Sequence, residues 1–352
     1  MPDVTPEDGT PGDAGAEPAA DPGPDGGSPP PRQARPGLST FTIEGRAAPG
    51  LFVVGWLASI LGLDILVIGF LAPRSIFASI LIIGGLLVLS TGLVSGAGAQ
   101  TIERRSRGLA YSGPSPFVLF AASVAIASLL STFVGFGIRI AGGDPESPGV
   151  TLILLAVIQA TYLGLTRLLV VGSGALSWAD MGIRSGLRRG LTDLAWGAWF
   201  ALPVIGLTFV LLAFLTQFIR AVPDSPLPPT GTASGLILNL VAGAVLVPLG
   251  EELLFRGVAT TAWRRVYGST RAIIQGGVFF AVVHVLQIGG TSPDQAFQLA
   301  ILGFVTRVPV ALALGWVFVA RRSLWASVGL HAAFNGTLLI LAEYAKANLP
   351  PG

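Results

Sequence analysis

The last third of the chain holds six side chains whose types and spacing suit acid–base chemistry. They fall in three short patterns: Glu251-Glu252-Leu253-Leu254-Phe255-Arg256, Phe280-Ala281-Val282-Val283-His284 and His331-Ala332-Ala333-Phe334-Asn335. His284 and His331 are the only two histidines among 352 residues. Residues four apart share a helix face, so Glu252 lies one turn from Arg256 and His331 one turn from Asn335. A buried carboxylate beside a His can serve as general base toward water. A His and an Asn one turn apart can aim donors at one point, which suits the oxyanion of a tetrahedral intermediate. Glu252 and Arg256 can neutralise each other, which keeps a second carboxylate from competing for the proton. Together these groups suit water-mediated acyl transfer, that is, peptide hydrolysis.

The elements that must position these groups are membrane helices. Apolar residues make up 52% of the chain and charged residues 11%, against about 25% charge in soluble domains. Nine apolar stretches, many near the ~20 residues that cross a bilayer, cover 50–72, 76–97, 116–138, 149–171, 193–218, 235–263, 272–288, 296–319 and 324–345. The expected fold is an all-α, polytopic transmembrane helix bundle of about eight to nine helices with a disordered N-terminal tail. Residues 1–48 form that tail. They are rich in Pro and Gly, carry seven acids before Arg32, and hold almost no large apolar residues; such a segment buries too little surface to fold. Residues 49–230 supply the N-terminal transmembrane helices, with an interfacial segment at 178–190. Residues 231–347 form the core that carries the three patterns. No cysteine is present, so disulfides, thiolate zinc sites and cysteine nucleophiles are excluded. The net charge of +2 gives no reason to expect nucleic acid.

Arginine placement orients the bundle. With the tail inside and the helices alternating, the inner segments carry Arg32, Arg35, Arg46, Arg104, Arg105, Arg107, Arg184, Arg188, Arg189, Arg264, Arg265, Arg271, Arg321 and Arg322. The outer segments carry only Arg74, Arg139, Arg220 and Lys346. The positive-inside rule then predicts a cytoplasmic N-terminus and an outer C-terminus. Depth follows from the same markers. Glu251 is 13 residues from Arg264, His284 is 13 from Arg271 and Asn335 is 13 from Arg322, or about 20 Å each along a helix. Arg307 falls at that level, and His331 one turn nearer the cytoplasm. Ionisable groups at such depth are functional candidates by default.

The order EExxxR, FxxxH, HxxxN on separate apolar helices resembles the CPBP family. These are the type II CAAX prenyl endopeptidases and bacteriocin-processing enzymes, also known as the abortive-infection domain. The resemblance covers about residues 235–345. It implies that Glu251 activates water with help from His284, that His331 and Asn335 stabilise the oxyanion, and that Glu252 and Arg256 support them. The family is often labelled a metalloprotease, and zinc would take Glu251, His284 and His331. The HExxH spacing of zinc proteases is absent and Asn is a poor zinc ligand, so a metal-free mechanism with no cofactor is favoured.

The expected partners are membrane lipid and a peptide or protein substrate at the membrane. The expected location is a bacterial cell membrane. Two other readings use the same residues: a transporter with a buried proton or ion relay, and a non-catalytic immunity or scaffold protein of the same fold. A transporter commonly shows repeated halves, and none is evident here. Outside the six side chains, Asn239, Gln275 and Gln287 are candidates for supporting contacts, and Asp64 for a helix kink or polar groove. Gly276-Gly277 is expected to allow close helix packing.

Overall fold

The computed structural model describes residues 42–184, 186–219, 227–286 and 288–348. Residues 1–41 of the expected tail, Arg220 and Gln287 lie outside the described residues. Among the described residues the chain forms nine helices and no strand. They are α1 (Pro49–Leu71), α2 (Ile76–Ser106), α3 (Pro116–Ile140), α4 (Pro148–Val171), α5 (Leu187–Leu215), α6 (Ala233–Tyr267), α7 (Ser269–Val285), α8 (Pro293–Arg321) and α9 (Leu324–Asn348). All but α7 are long and apolar enough to cross a membrane. The expectation of an all-α, multi-pass bundle holds. The short helix α7 has 17 residues, or about 25 Å, which falls short of a ~30 Å hydrocarbon core.

Local chemistry sets the helix starts. Pro49, Pro116, Pro148 and Pro293 occupy first turns, where the missing N–H costs nothing. The side chains of Ser75, Ser147, Thr232 and Ser292 accept hydrogen bonds from Ala78, Val150, Gly235 and Gln295 N–H groups, capping α2, α4, α6 and α8. Gly268, at φ 81°, ends α6 and opens α7 in one step, a backbone conformation that glycine adopts without strain. Before α1 the chain is already held: Ala47 N–H donates to Glu103 Oε2 at 2.8 Å, and the Arg46 guanidinium sits over the Phe52 ring.

Helix α6 is the centre of the core. On one side Leu253, Leu254, Val258 and Ala262 pack with Leu119 of α3 and with Tyr162 and Leu165 of α4. On the other side Phe255, Ala259 and Trp263 pack with Phe280 of α7, Leu314 of α8 and Phe334 of α9. Every residue from Glu252 to Trp263 is buried, as expected of a helix enclosed by other helices.

This helix is not a regular α-helix. Residues 241–246 and 253–260 wind as π-helix. Pro248, just past the first of these, has no N–H to give. In the second, the Thr260 and Thr261 hydroxyls donate to carbonyls five residues back, Phe255 and Arg256. Sequence periodicity gave no warning of this widening. Its effect is to crowd more residues into each turn, so α6 advances less per residue below Glu251 than a regular helix would.

The interfacial segment folds under the arginine-rich end of the bundle, with Leu176 and Met181 buried. Arg265 joins it to α6 by donating to the Ala175 carbonyl and pairing with Asp180 at 2.9 Å. Burial disfavours the Asp180 carboxylate, but the Ser177 N–H and hydroxyl and Arg265 outweigh it and hold its pKa below the ordinary value. Helix α5 begins earlier than expected, so Arg188 and Arg189 occupy its first turn.

Candidate active site

Four helices bring the three patterns together. Glu252 and Arg256, one turn apart on α6, form an ion pair of 3.0 Å with exposures of 0% and 1%. A buried arginine must satisfy its remaining donors. Here Arg256 Nη2 donates to the Ala311 carbonyl of α8 at 3.1 Å, and the Phe280 ring of α7 lies 4.4 Å from the guanidinium carbon. Glu252 also receives a second partner: His331 Nδ1 of α9 is 2.8 Å from its Oε1. One carboxylate therefore ties α6 to α9, and the arginine it pairs with ties α6 to α8.

Glu251 points to a different place. Its Oε2 lies 3.6 Å from His284 Nε2 and 3.9 Å from His331 Nε2. The other nitrogen of each ring is already engaged. His284 Nδ1 is 2.7 Å from the Phe280 carbonyl one turn back. A carbonyl can only accept, so that nitrogen carries the proton. His331 Nδ1 faces the Glu252 carboxylate, so it carries a proton too. In the neutral rings both Nε2 atoms are then acceptors, and they converge on a third acceptor. Glu251 Oε2 is buried and takes no hydrogen bond from the protein. Three acceptors around one point call for a proton donor between them, such as a water with two O–H bonds. The Glu251 and His284 side chains keep 16% and 26% of their surface exposed, so the point where they meet is not sealed.

Phe280 explains the spacing FxxxH. Its carbonyl fixes the His284 tautomer, and its ring packs against His284 at 4.2 Å and His331 at 5.8 Å between centroids. Aromatic contacts of this kind hold both imidazoles in place.

Asn335 is not part of this contact set. Its Nδ2 donates to the Gly243 carbonyl of α6 at 2.9 Å, eight residues before Glu251. The even-rise count placed Asn335 level with Glu251 and His331 one turn lower. The structure instead puts His331 level with the glutamate pair and Asn335 about one turn outward of it. The π-helical stretch after Glu252 contributes to the shift, because its residues rise less than those of a regular helix, and Arg322, the marker used for α9, lies in the turn before that helix. The amide of Asn335 has a second N–H that this bond leaves free.

Other side chains fall into new roles. Asn239 donates to the Pro228 carbonyl before α6, and Gln275 and Asp64 are exposed. Gly276 and Gly277 do allow close packing: a methyl group there would meet Thr260 Oγ1 of α6 and Leu312 of α8, each at 2.8 Å. Sequence reading missed Gln159 and Tyr162 of α4. Gln159 is buried against Gly250, where it fills the space a Cβ would need. Tyr162 interacts electrostatically with Glu251. Two buried polar groups three apart share one face of α4 and mark it as inward.

A metal would have to use the same donors. Among the described residues no group of three or more His, Cys, Asp or Glu side chains is arranged to hold a metal ion. A cation bound at this point would take the two Nε2 atoms and Glu251 as its donors.

Residues 233–337 match the family model described as Rce1-like, type II CAAX prenyl endopeptidase Rce1-like. The match spans α6 to most of α9 and bears out the family resemblance carried by the three patterns. No curated protein and no solved structure matches the chain.

Proposed function

We propose that this CAAX-endopeptidase-like segment hydrolyses a peptide bond of a membrane-associated substrate, with Glu251 as general base. The observation that carries the proposal is the convergence of Glu251 Oε2, His284 Nε2 and His331 Nε2 on one point, with no protein donor to satisfy them. A water held there has its oxygen lone pairs free for a carbonyl carbon. Glu251 takes a proton as the water attacks, and the same proton passes to the leaving amine when the tetrahedral intermediate collapses. His284, its tautomer fixed by the Phe280 carbonyl, orients the water.

The oxyanion needs donors. His331 becomes one when both of its nitrogens carry protons, with Nδ1 bonded to the Glu252 carboxylate. Asn335 offers its second amide hydrogen from one turn away. Preorganised donors of this kind are worth about 10²–10³ in rate each. Glu252 and Arg256 keep the carboxylate that faces His331 neutralised and in place, so only Glu251 competes for the water's proton.

The mechanism uses no metal; a zinc form would occupy Glu251, His284 and His331. The proposed location is a bacterial cell membrane with the arginine-rich end cytoplasmic. Proposed partners are membrane lipid and a hydrophobic or lipid-tethered peptide, with no nucleic acid. The test is cleavage of a peptide library by the purified protein, by Glu251→Ala and by His284→Ala, with and without a chelator. Cleavage that both substitutions abolish and the chelator leaves intact supports the reading. Activity surviving both changes contradicts the mechanism, and activity lost to the chelator favours the zinc form.

A further inference from the structure

Arg307 has bonding capacity that the protein leaves unused. It is the middle residue of α8, 14 residues from Pro293 and 14 from Arg321. Among the described residues its one hydrogen bond runs from Nη1 to the Gly303 carbonyl of its own helix, at 3.0 Å. The ion pairs of the described residues involve Arg107, Arg189, Arg256, Arg265 and Arg321, and none involves Arg307. A guanidinium stays charged and carries five N–H donors. Arg256, at similar depth, is matched by a carboxylate, a carbonyl and an aromatic face. Arg307 has a carbonyl alone.

Its position bears on the site. The guanidinium lies over Gly303, where a Cβ would come 3.0 Å from Nη1 and 3.4 Å from Val285, the residue after His284. Arg307 also interacts electrostatically with Glu251 without forming an ion pair with it. Beside it Leu286 and residues 288–292 are non-helical, and Ile288 packs over the same Gly303. Non-helical backbone at membrane depth is tolerated where it lines protein or a wet cavity.

We infer that Arg307 is a specificity-determining residue that binds a carboxylate of the peptide substrate and so sets which bond reaches Glu251. A lipid phosphate is out of range. From mid-helix, either end of α8 is about 21 Å away, and headgroups lie outside a hydrocarbon half-thickness of about 15 Å. A carboxylate on a chain already threaded toward Glu251 is within reach, and pairing with it gives the part-buried cation the ion-pair partner it lacks. The carboxylate is either the substrate C-terminus or an Asp or Glu side chain at a fixed distance from the cleaved bond.

The inference rests on the hydrolase reading above. Its test uses a peptide that the wild-type protein cleaves in a Glu251-dependent way, made as the free acid, as the C-terminal amide, and with each Asp or Glu changed to Asn or Gln. The full chain is compared with Arg307→Gln, Arg307→Lys and Gly303→Ala, the last displacing the guanidinium through a contact with its flexible end. We expect Arg307→Gln to raise KM about ten- to hundredfold for the free acid, with kcat little changed. One neutralised peptide should already bind wild-type protein weakly and lose nothing further in Arg307→Gln, and which peptide it is identifies the carboxylate. Arg307→Lys should recover part of the loss, and Gly303→Ala should reproduce part of it. Equal losses of kcat on acid and neutralised peptides would overturn the inference, because Arg307 would then serve Glu251 alone. Unchanged kinetics in Arg307→Gln would overturn it too. If wild-type protein cleaves no peptide, the hydrolase reading fails and this inference fails with it; Glu251-dependent cleavage indifferent to Arg307 defeats only the inference.

Discussion

Glycines line both the α1–α2 pair and the α6–α9 core, yet they meet different neighbours. In the pair, Gly55, Gly62 and Gly69 recur every seven residues on α1, and Gly85 and Gly92 do so on α2. A methyl group on Gly55 would come 2.8 Å from the Gly96 backbone, and one on Gly85 would come 2.7 Å from the Leu66 backbone nitrogen. The two helices touch main chain to main chain, as van der Waals packing in lipid favours. In the core, three glycines have a polar side-chain atom where a methyl group would sit, Gln159 Oε1 at Gly250, Thr260 Oγ1 at Gly276 and, beside Ile288, Arg307 Nη1 at Gly303, while Gly277 meets Leu312 and Gly329 meets the Leu194 backbone. The same residue brings backbones together in one region and makes room for polar groups in the other. A bundle that only needed to pack would have no use for the second arrangement.

The contrast predicts that core substitutions separate activity from stability, whereas those in the pair affect stability alone. The largest expected effect is from Glu251→Gln. Cleavage should fall about 10²–10⁴-fold, with the thermal unfolding midpoint in detergent nearly unchanged, since Glu251 makes no hydrogen bond to the protein. Next comes Arg256→Met, which strands the Glu252 charge in a wholly buried site. Stability should drop by about 3–5 kcal/mol, read from unfolding in detergent, and a midpoint within error of wild type would mean that the pair is not buried as described. Asn335→Ala should lower kcat about a hundredfold if its free amide hydrogen reaches the oxyanion. An unchanged kcat would leave that role to His331. The smallest effect is expected from Gly62→Leu in the α1–α2 pair, which overfills a backbone contact at a cost of about 1–3 kcal/mol. Limited proteolysis should then release α1 while the surviving molecules cleave at the wild-type rate; a lost rate would join the pair to the site and break the contrast.

Helix type and position were legible because lipid demands long apolar runs: among the described residues each of the nine expected stretches falls on a helix, eight of them long and apolar enough to cross a membrane. The grouping of Glu252 with Arg256 was legible from i,i+4 spacing. The convergence of Glu251, His284 and His331 was only implied by matched depth and by family resemblance. Depth itself was misread at Asn335, because the π-helical winding of residues 253–260 and the turn at Arg322 leave no periodic mark in the sequence. Gln159 and Tyr162 were not legible because α4 carries none of the three patterns, and its sequence does not say that it packs against Gly250 of α6. The glycine heptads of α1 and α2 were in plain view, but glycine spacing alone does not say which partner it meets.

The central claim is that a water activated by Glu251 attacks the peptide bond directly. Single-turnover cleavage of a membrane-tethered peptide in ¹⁸O-labelled water, by wild-type protein and by Glu251→Gln, tests it most directly. The account predicts that the new carboxylate carries one ¹⁸O from the first turnover and that Glu251→Gln yields almost no product. A first-turnover carboxylate without the label would show that its new oxygen came from an enzyme carboxylate, through a mixed anhydride that water opens at the enzyme's carbon, and undiminished cleavage by Glu251→Gln would show a different base; either result contradicts the account.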